Sequence, residues 1–477
     1  MQPIPDTISR GRFARTSAGA AVLAASLFFG AAPLVHAQDK ATLDLLVKKG
    51  VITQDEADSV AKDAAVVVTP KDANVKALKL EGLLQAQYDW ISVQDKGTAG
   101  APAKTIPNPA ATNEFLIRRA YFGAIADLGN GWGGEILLDF AAGPGGPPAA
   151  PQGGSVTGVQ NNFEKLVIYK KFDDWGTGTA GFQKVPFVYE EQGTPSSELK
   201  PIERSIATNY FTGVYGGPVG GRLGFGNRHT GLYWNGLVPG VDGLFYGVAI
   251  TNGIQSVNSF TNVAGGQSFN RFGYWANLGY GSTYDNVSYK VGVNVGYSSD
   301  GNSNQPLLGG TFQSNSIWGY NPYATITWNG LSLTGEFIQA GVANGRATDP
   351  GAAEGAITGN TSKADPYGFN FTPSYKLNDQ WELVGRFSYL RTNGRGASIN
   401  QQVTDAPNVV GTDGTLFNQA WSLYGGVNYY IIGNSVKIQA GYEFSQFYDR
   451  VHGTATGIFG GPRANVSAIR TRIQVLF

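Results

Sequence analysis

The chain ends in AIRTRIQVLF, residues 468–477. Apolar or β-branched residues occupy every second position from Ile469 to Phe477, and Arg470 and Arg472 lie between them. A period of two is the pattern of a β-strand with one apolar face and one polar face. The stretch therefore predicts a strand whose apolar face extends to residue 477. The remaining sequence indicates what covers that face.

The composition differs from that of an ordinary soluble enzyme. Charged residues make up 15% of the 477 residues, against roughly 25% in typical globular proteins. The 67 glycines are about twice the usual share. The formal net charge of +0 gives no basic field for nucleic acid. Because cysteine is absent, disulfide bonds do not stabilise the chain.

Residues 1–37 have the pattern of a secretion signal. Three arginines precede the apolar stretch 18–35, and VHA at 35–37 offers a small-residue cleavage site. An uncleaved anchor helix is the alternative, which the many small residues and Pro33 disfavour. After residue 37 there is no apolar run of about 18 residues that could cross a membrane as a helix. A membrane location would therefore require a closed barrel of strands.

Residues 38–77 predict a short periplasmic helical hairpin followed by a linker. The first helix ends at Gly50, and Thr53 and Glu56 form a capping box for the second helix. The segment is too short to be a separate domain.

From residue 78 to the end, segments of about ten residues alternate between apolar and polar positions. This length suits tilted strands that cross a bilayer, and aromatic residues at the segment ends fit interfacial girdles. The predicted strands are 78–92, 114–126, 132–142, 162–172, 177–187, 229–236, 243–251, 271–281, 286–298, 316–328, 330–341, 366–376, 380–391, 417–430, 434–448 and 464–477.

The connections between these strands alternate in length. Short turns such as LNDQ (377–380) and IIGN (431–434) alternate with long glycine-rich loops such as 188–228. Bacterial outer-membrane barrels have short periplasmic turns and long external loops, whereas a soluble sandwich would not show this rhythm. The sequence therefore predicts an all-β fold, a 16-stranded antiparallel transmembrane β-barrel spanning residues 78–477.

Several stretches resemble the phosphate-selective porins of the O/P type. NEFLIRRAYFGAIADLGNGWGGEILLDFA (113–141) is similar to a strand hairpin of that family, and GFQKVPFVYEEQ (181–192) to its G-Q-F-K-V-P-F-G-x-E signature. IERS (202–205) resembles the F-x-E-R-S motif that follows, FYGVAITNG (245–253) a later strand, and LVKKGVITQDEAD (46–58) the helical prefix of several porins.

The resemblance implies a trimeric outer-membrane channel. In that family the third external loop, here about 188–228, folds into the pore as a constriction where basic residues guide anions. This chain departs from the family pattern at Arg228-His229, where the family usually has Arg-Asp.

Polar residues on the inward parity, together with charged residues of the third loop, are the candidate site. Facing rows of opposite charge across a narrow gap would select solutes by charge. The alternative is that these arginines pair with loop carboxylates and hold the loop against the wall. The pore-lining or solute-guiding candidates are Lys79, Arg119, Lys184, Lys200, Arg204, Arg222, Arg386, Lys437, Arg470 and Arg472, and the constriction-loop acids are Glu190, Glu191 and Glu203.

Two basic residues have an ambiguous direction. Arg118 and Arg119 are adjacent, so strict alternation turns only Arg119 inward and leaves Arg118 on the lipid parity, at an interface. Lys184 shares parity with Phe182, so it is either a lumen residue on a bulged strand or an interfacial lysine whose amine reaches water.

Signatures of catalysis are scarce. Only His229 and His452 remain after the signal sequence, too few for a histidine metal cluster, and no nucleophile elbow or phosphate-binding loop is evident. We therefore expect no enzyme activity, metal or cofactor. The sequence predicts a passive outer-membrane porin for small hydrophilic solutes, anions such as phosphate. The alternatives are a non-selective diffusion porin and a plugged barrel with a surface-binding or structural role.

The expected partners follow from this reading. They are outer-membrane lipid, small anions and, through the aromatic C-terminus, the barrel-assembly machinery during biogenesis. The resemblance adds two further copies of the chain in a homotrimer. Nucleic acid is not expected.

Overall fold

The computed structural model describes a large part of the predicted barrel. The predicted signal peptide and almost all of the predicted helical hairpin and linker lie outside the described residues. The described residues are 67–68, 75–95, 110–141, 163–172, 175–213, 222–252, 272–301, 315–343, 363–407, 417–450 and 463–477. In these ranges no helix has the length and apolar character needed to cross a membrane.

Sixteen antiparallel strands in the described ranges form a closed barrel, in which each strand pairs with the next and the last pairs with the first. Val67–Val68 adds a two-residue pairing to the start of the first strand. The strands are β1 (Ala77–Asp95), β2 (Ala110–Gly129), β3 (Trp132–Asp139), β4 (Phe163–Phe172), β5 (Gly176–Lys184), β6 (Arg228–Leu237), β7 (Leu244–Asn252), β8 (Phe272–Tyr284), β9 (Val287–Gly301), β10 (Asn315–Trp328), β11 (Leu331–Val342), β12 (Tyr367–Lys376), β13 (Trp381–Arg391), β14 (Phe417–Ile432), β15 (Val436–Arg450) and β16 (Arg463–Leu476).

The predicted number and order of strands are confirmed, with boundaries that differ by up to four residues. The largest difference is at the start of β2, which begins at Ala110, and a smaller one is at the end of β5. There the strand stops at Lys184 because the chain leaves the wall and turns inward at Val185.

The two faces of β16 are divided as the C-terminal pattern predicts. Ile469 and Ile473 are exposed on the outside of the barrel, whereas Arg470 and Arg472 are 2% exposed and point inward. The strand pairs with β1 from Ala464 to Leu476, and Phe477 extends the pairing through two backbone hydrogen bonds with Gly82, of 2.8 and 3.0 Å. The C-terminus therefore closes the barrel.

The outside of the barrel is apolar. Large aliphatic and aromatic side chains are exposed on strands all round the cylinder, among them Phe115, Ile168, Leu278, Trp318 and Leu423. A soluble protein rarely exposes so extensive an apolar surface, and a band of this kind is what a lipid bilayer covers on a transmembrane barrel.

Candidate functional site

The described residues of the loop between β5 and β6 lie inside the barrel. This segment, called loop three below, is described for residues 185–213 and 222–227 and contains the helices α1 (Tyr189–Gln192) and α2 (Ile206–Thr212). Ser205 caps α2 by accepting a 3.0 Å hydrogen bond from the Thr208 amide. Loop three contacts inward side chains of strands as distant as β2, β11, β13 and β16, so it fills the interior.

A second loop also folds inward, which the sequence did not predict. It follows β13, is described for residues 392–407, and contains the helix α3 (Ile399–Gln402). We call residues 392–407 the second inward loop. Ala397, Ile399 and Val403 of this loop are 1–3% exposed and belong to the same buried apolar cluster as loop three.

The two loops share an apolar core with the barrel wall. Phe187, Phe211 and Phe225 of loop three are fully buried, and Phe187 and Phe225 meet edge-on with centroids 4.6 Å apart. Inward residues such as Trp275 of β8 and Ile338 of β11 complete the cluster. Its wall members come from β1, β6–β8, β10, β11 and β13–β16, and none of the described residues of β2–β5 belongs to it.

Gly319 of β10 provides a direct test of this packing. A Cβ added at Gly319 would lie 2.7 Å from Phe187 and 2.8 Å from Phe225. We therefore expect Gly319→Val to lower the free energy of unfolding by about 1–3 kcal/mol, the usual cost of overpacking, in urea titrations followed by tryptophan fluorescence in lipid vesicles. Gly425→Val is the matched control, because no atom lies within 4 Å of its added Cβ. Equal stability of the two variants would contradict the packing.

Ion pairs fix loop three to the strands on one side of the barrel. Arg386 of β13 is 1% exposed. It pairs with Glu190 of loop three at 3.3 Å and with Glu443 of β15 at 2.9 Å. Lys200 of loop three pairs with Glu382 of β13 at 3.0 Å.

Two further predicted residues of the wall are equally buried. Lys437 is 0% exposed and donates a 2.7 Å hydrogen bond to the carbonyl oxygen of Ser197 in loop three. Arg470 lies 3.6 Å from Asp89 of β1 and donates a 2.7 Å hydrogen bond to the Thr404 carbonyl of the second inward loop. These contacts leave both cations engaged in holding the loops.

Glu203 lies among three arginines of the wall. Arg118 of β2 donates two hydrogen bonds to its carboxylate, of 2.8 and 3.1 Å, Arg472 of β16 pairs with it, and Arg119 adds to its electrostatic environment. Burial alone would raise the pKa of Glu203, but attraction to the arginines outweighs burial and holds the pKa well below its ordinary value. Glu203 is therefore ionised, and the cluster carries an excess of positive charge.

Arg118 points inward, so the prediction from strict alternation was wrong for this residue. The register between β1 and β2 slips here: Gln85 lies opposite Arg119 and Ala86 lies opposite Ile117. Arg118 is the extra residue of a β-bulge, which lets two consecutive side chains face the same side. Arg119 also faces inward and donates a 2.8 Å hydrogen bond to Gln85. The adjacent arginines in RRAYF (118–122) were the signal of the bulge.

Glu191 has a similar basic environment. Lys184 pairs with it at 2.6 Å and Arg204 at 2.9 Å, and Arg228 is a third cation nearby. Burial would raise the pKa of Glu191, but the three cations together lower it far below its ordinary value. Arg228 itself pairs with Glu164 of β4, another bulge residue of the wall.

The contacts of Lys184 place it on the lumen side of the wall, because Glu191 belongs to α1 inside the barrel. The strand is irregular just before it, where Gly181 has a φ of 138°, a conformation that glycine tolerates. Arg222 donates a 2.5 Å hydrogen bond to the Gln401 carbonyl of the second inward loop. Lys79 lies near the short-turn end of β1 and is partly exposed, away from the other predicted residues.

The inward side chains differ in exposure from one side of the barrel to the other. On β6–β16 most inward positions are buried, as in β13, where Glu382, Val384, Arg386, Ser388 and Leu390 are at most 4% exposed. On β2–β5 most inward positions are partly exposed. The β2–β5 wall beside loop three carries the partly exposed inward residues Arg118, Tyr121, Glu135, Asp139, Glu164 and Lys165.

One histidine lies within the described part of the chain. His229 is 1% exposed and contacts Trp275 edge-on at 5.1 Å, whereas His452 lies outside the described residues. No group of three or more potential metal-ligating His, Asp or Glu residues occurs in the described part of the chain.

Comparison with known proteins finds similar solved structures. No protein-family model and no curated protein matches the sequence. Among solved structures, OprB of Pseudomonas putida is similar over 83% of this chain and 94% of its own, with 12% identity and a TM-score of 0.50. The outer-membrane channel DcaP of Acinetobacter baumannii covers 84% of this chain and 97% of its own, with 12% identity and a TM-score of 0.49. At 12% identity, the likeness to OprB is one of fold alone.

Proposed function

We propose that the protein is an outer-membrane channel for passive diffusion of small hydrophilic solutes, with a passage between loop three and the β2–β5 wall. The observation that carries the proposal is the contrast in exposure: inward side chains are buried by the loops on most strands and remain partly exposed on β2–β5. Those exposed residues are mostly polar and charged, as the lining of an aqueous channel requires.

The apolar outer surface supports a location in the outer membrane. Exposed Phe115, Ile168, Leu278, Trp318 and Leu423 face away from the barrel axis on different strands, and a closed barrel satisfies its backbone hydrogen bonds without water. Export through the predicted signal peptide would deliver the chain to this membrane, where outer-membrane lipid and the assembly machinery are its expected partners.

A preference for small anions, phosphate among them, is part of the proposal. Glu203 and Glu191 each have three basic neighbours, and among these cations the side chains of Arg118, Lys184 and Arg228 are 17–22% exposed, against 14% for the Glu191 side chain. Glu203 itself is buried, so the charge that its cluster offers to a solute is that of Arg118. The proposed preference requires the exposed cations to outweigh the partly exposed acids Glu135, Asp139 and Glu164 of the same wall. Arg118 and Arg228 therefore join the predicted guiding residues.

The buried cations support the other role that the sequence left open. Arg386, Lys437, Arg470 and Arg472 are at most 2% exposed and are engaged by carboxylates or carbonyl oxygens. We propose that they hold the loops and shape the passage, while the partly exposed cations meet the solute.

Two alternative functions make different predictions. A non-selective diffusion porin fits the same fold. A plugged barrel with a binding or structural role is favoured by one observation, the apolar core that the two loops build inside the barrel.

Single-channel recording in planar bilayers across a KCl gradient distinguishes these alternatives. We expect discrete steps of current and a reversal potential whose sign indicates a preference for chloride over potassium. In Arg118→Gln/Arg228→Gln the reversal potential should lie closer to zero. Lys170→Gln is the matched control, because the Lys170 amine lies 5.6 Å from the ring centre of the exposed Trp132 and so on the outside of the barrel, away from the proposed passage. Absence of steps would indicate a plugged barrel, a reversal potential of zero would indicate a non-selective pore, and a cation preference would contradict the proposed selectivity.

We also propose, from the family resemblance, that three copies assemble. The mass of the detergent-solubilised complex measures this, and a monomer mass would contradict it.

A further inference from the structure

The second inward loop is attached to loop three by hydrogen bonds that Asn209 and Arg222 of loop three donate. Asn209 of α2 donates to the Gln402 carbonyl at 2.8 Å and approaches the Thr404 hydroxyl at 3.5 Å. Arg222, beyond α2, donates to the Gln401 carbonyl at 2.5 Å. Two separate points of loop three are therefore joined to consecutive carbonyls at the C-terminal end of α3.

Apolar contacts reinforce these hydrogen bonds. Ile399 and Val403 of the second inward loop are 1% and 3% exposed and lie in one cluster with Tyr210 and Phe211 of α2. The helix α2 therefore contacts both the second inward loop and the strands β12–β14.

The second inward loop is itself fixed to the wall at both ends. At its start, Asn418 of β14 accepts hydrogen bonds from Thr392 and Gly394. The backbone amides of Ala397 and Phe417 each donate a hydrogen bond to the carbonyl oxygen of the other residue. At its end, Arg470 of β16 donates to the Thr404 carbonyl at 2.7 Å. The loop therefore connects loop three to β14 and β16 of the wall.

We infer that the second inward loop is a latch that positions loop three and so determines the width of the passage along β2–β5. Loop three leaves the wall at the end of β5 and returns to it at the start of β6, next to the β2–β5 wall. Without the latch it could therefore shift toward β2–β5. Asn209, Arg222 and Thr404 are positioning residues: they act on permeation through the place of loop three rather than by touching the solute. The inference deepens the proposed function and rests on it.

Removing the two donors in Asn209→Ala/Arg222→Ala tests the latch. Each hydrogen bond lost weakens the closed arrangement, and together they should raise the population with displaced loop three about tenfold or more. In planar bilayers we expect frequent transitions between conductance levels, where the unchanged protein gives one steady level. Asn209→Ala alone should show the same transitions less often, with unchanged selectivity because it alters no charge.

A reversible cross-link provides a second measurement. The chain has no cysteine, so Asn209→Cys/Thr404→Cys introduces a single thiol pair at side chains now 3.5 Å apart. Under reduction the transitions should appear, and oxidation should restore the steady level, with the single-cysteine variants as controls insensitive to oxidation. Heat-modifiable migration on gels confirms that each variant is folded.

The outcomes distinguish failure of the proposed latch from failure of the proposed channel function. The latch is contradicted if folded Asn209→Ala/Arg222→Ala conducts at the same steady level as the unchanged protein, with no added transitions. In that case the proposed channel function is unaffected. If the unchanged protein gives no steps at all, the proposed function fails first.

Discussion

Replacing Glu203 with glutamine should lower the free energy of unfolding by about 3–5 kcal/mol, the cost of removing one partner from a buried ion pair. Glu203 and Arg472 are 3% and 2% exposed, and the same carboxylate binds Arg118 through two hydrogen bonds. In Glu203→Gln the arginines face one another without a neutralising charge, because glutamine retains the shape and loses the charge. Urea titration in lipid vesicles measures the difference.

Glu164→Gln is the control for this prediction. Glu164 pairs with Arg228, but the two side chains are 20% and 17% exposed. Water therefore replaces part of the lost attraction, and the cost should stay below about 1 kcal/mol. A double variant, Glu203→Gln/Arg472→Gln, should recover part of the stability because the unpaired buried cation is removed as well. Equal losses in Glu203→Gln and Glu164→Gln would show that the Glu203 cluster does not anchor loop three.

The sixteen strands could be predicted because their information is local. Each strand carries its own period of two, and turns such as LNDQ (377–380) mark the ends. The faces of β16 followed from the same pattern, since apolar residues such as Ile473 can face outward only into lipid. Bulges break this local rule by one residue, which is why the inward direction of Arg118 was missed.

The interior could be predicted only in part. Parity placed Arg386 and Arg472 inside the barrel, but parity does not show whether a loop covers them. That depends on contacts between residues far apart in sequence, such as Glu203 with Arg472 or Glu190 with Arg386. The inward course of the second loop had a weak signal, the apolar residues Ala397, Ile399 and Val403 in a polar stretch, and its place becomes evident only beside loop three.

If solutes pass along β2–β5, the chemical accessibility of inward side chains should differ sharply between the two sides of the barrel. Tyr121 of β2 and Lys165 of β4 are partly exposed inward residues. Ser422 of β14 and Ser445 of β15 also face inward but are 0% and 1% exposed. Since the chain contains no cysteine, each position can carry the sole thiol of the protein. A thiol beside the passage meets dissolved reagents, whereas a thiol beneath the packed loops is shielded from them.

Modification of these four single-cysteine variants by a small, charged, thiol-specific reagent, recorded as channel current in a planar bilayer, is the most direct test. Tyr121→Cys and Lys165→Cys should lose much of their current on modification, while Ser422→Cys and Ser445→Cys should keep theirs. Labelling after denaturation confirms that the two buried thiols are present. Rapid loss of current in Ser422→Cys and Ser445→Cys, with Tyr121→Cys and Lys165→Cys unaffected, would contradict a passage along β2–β5.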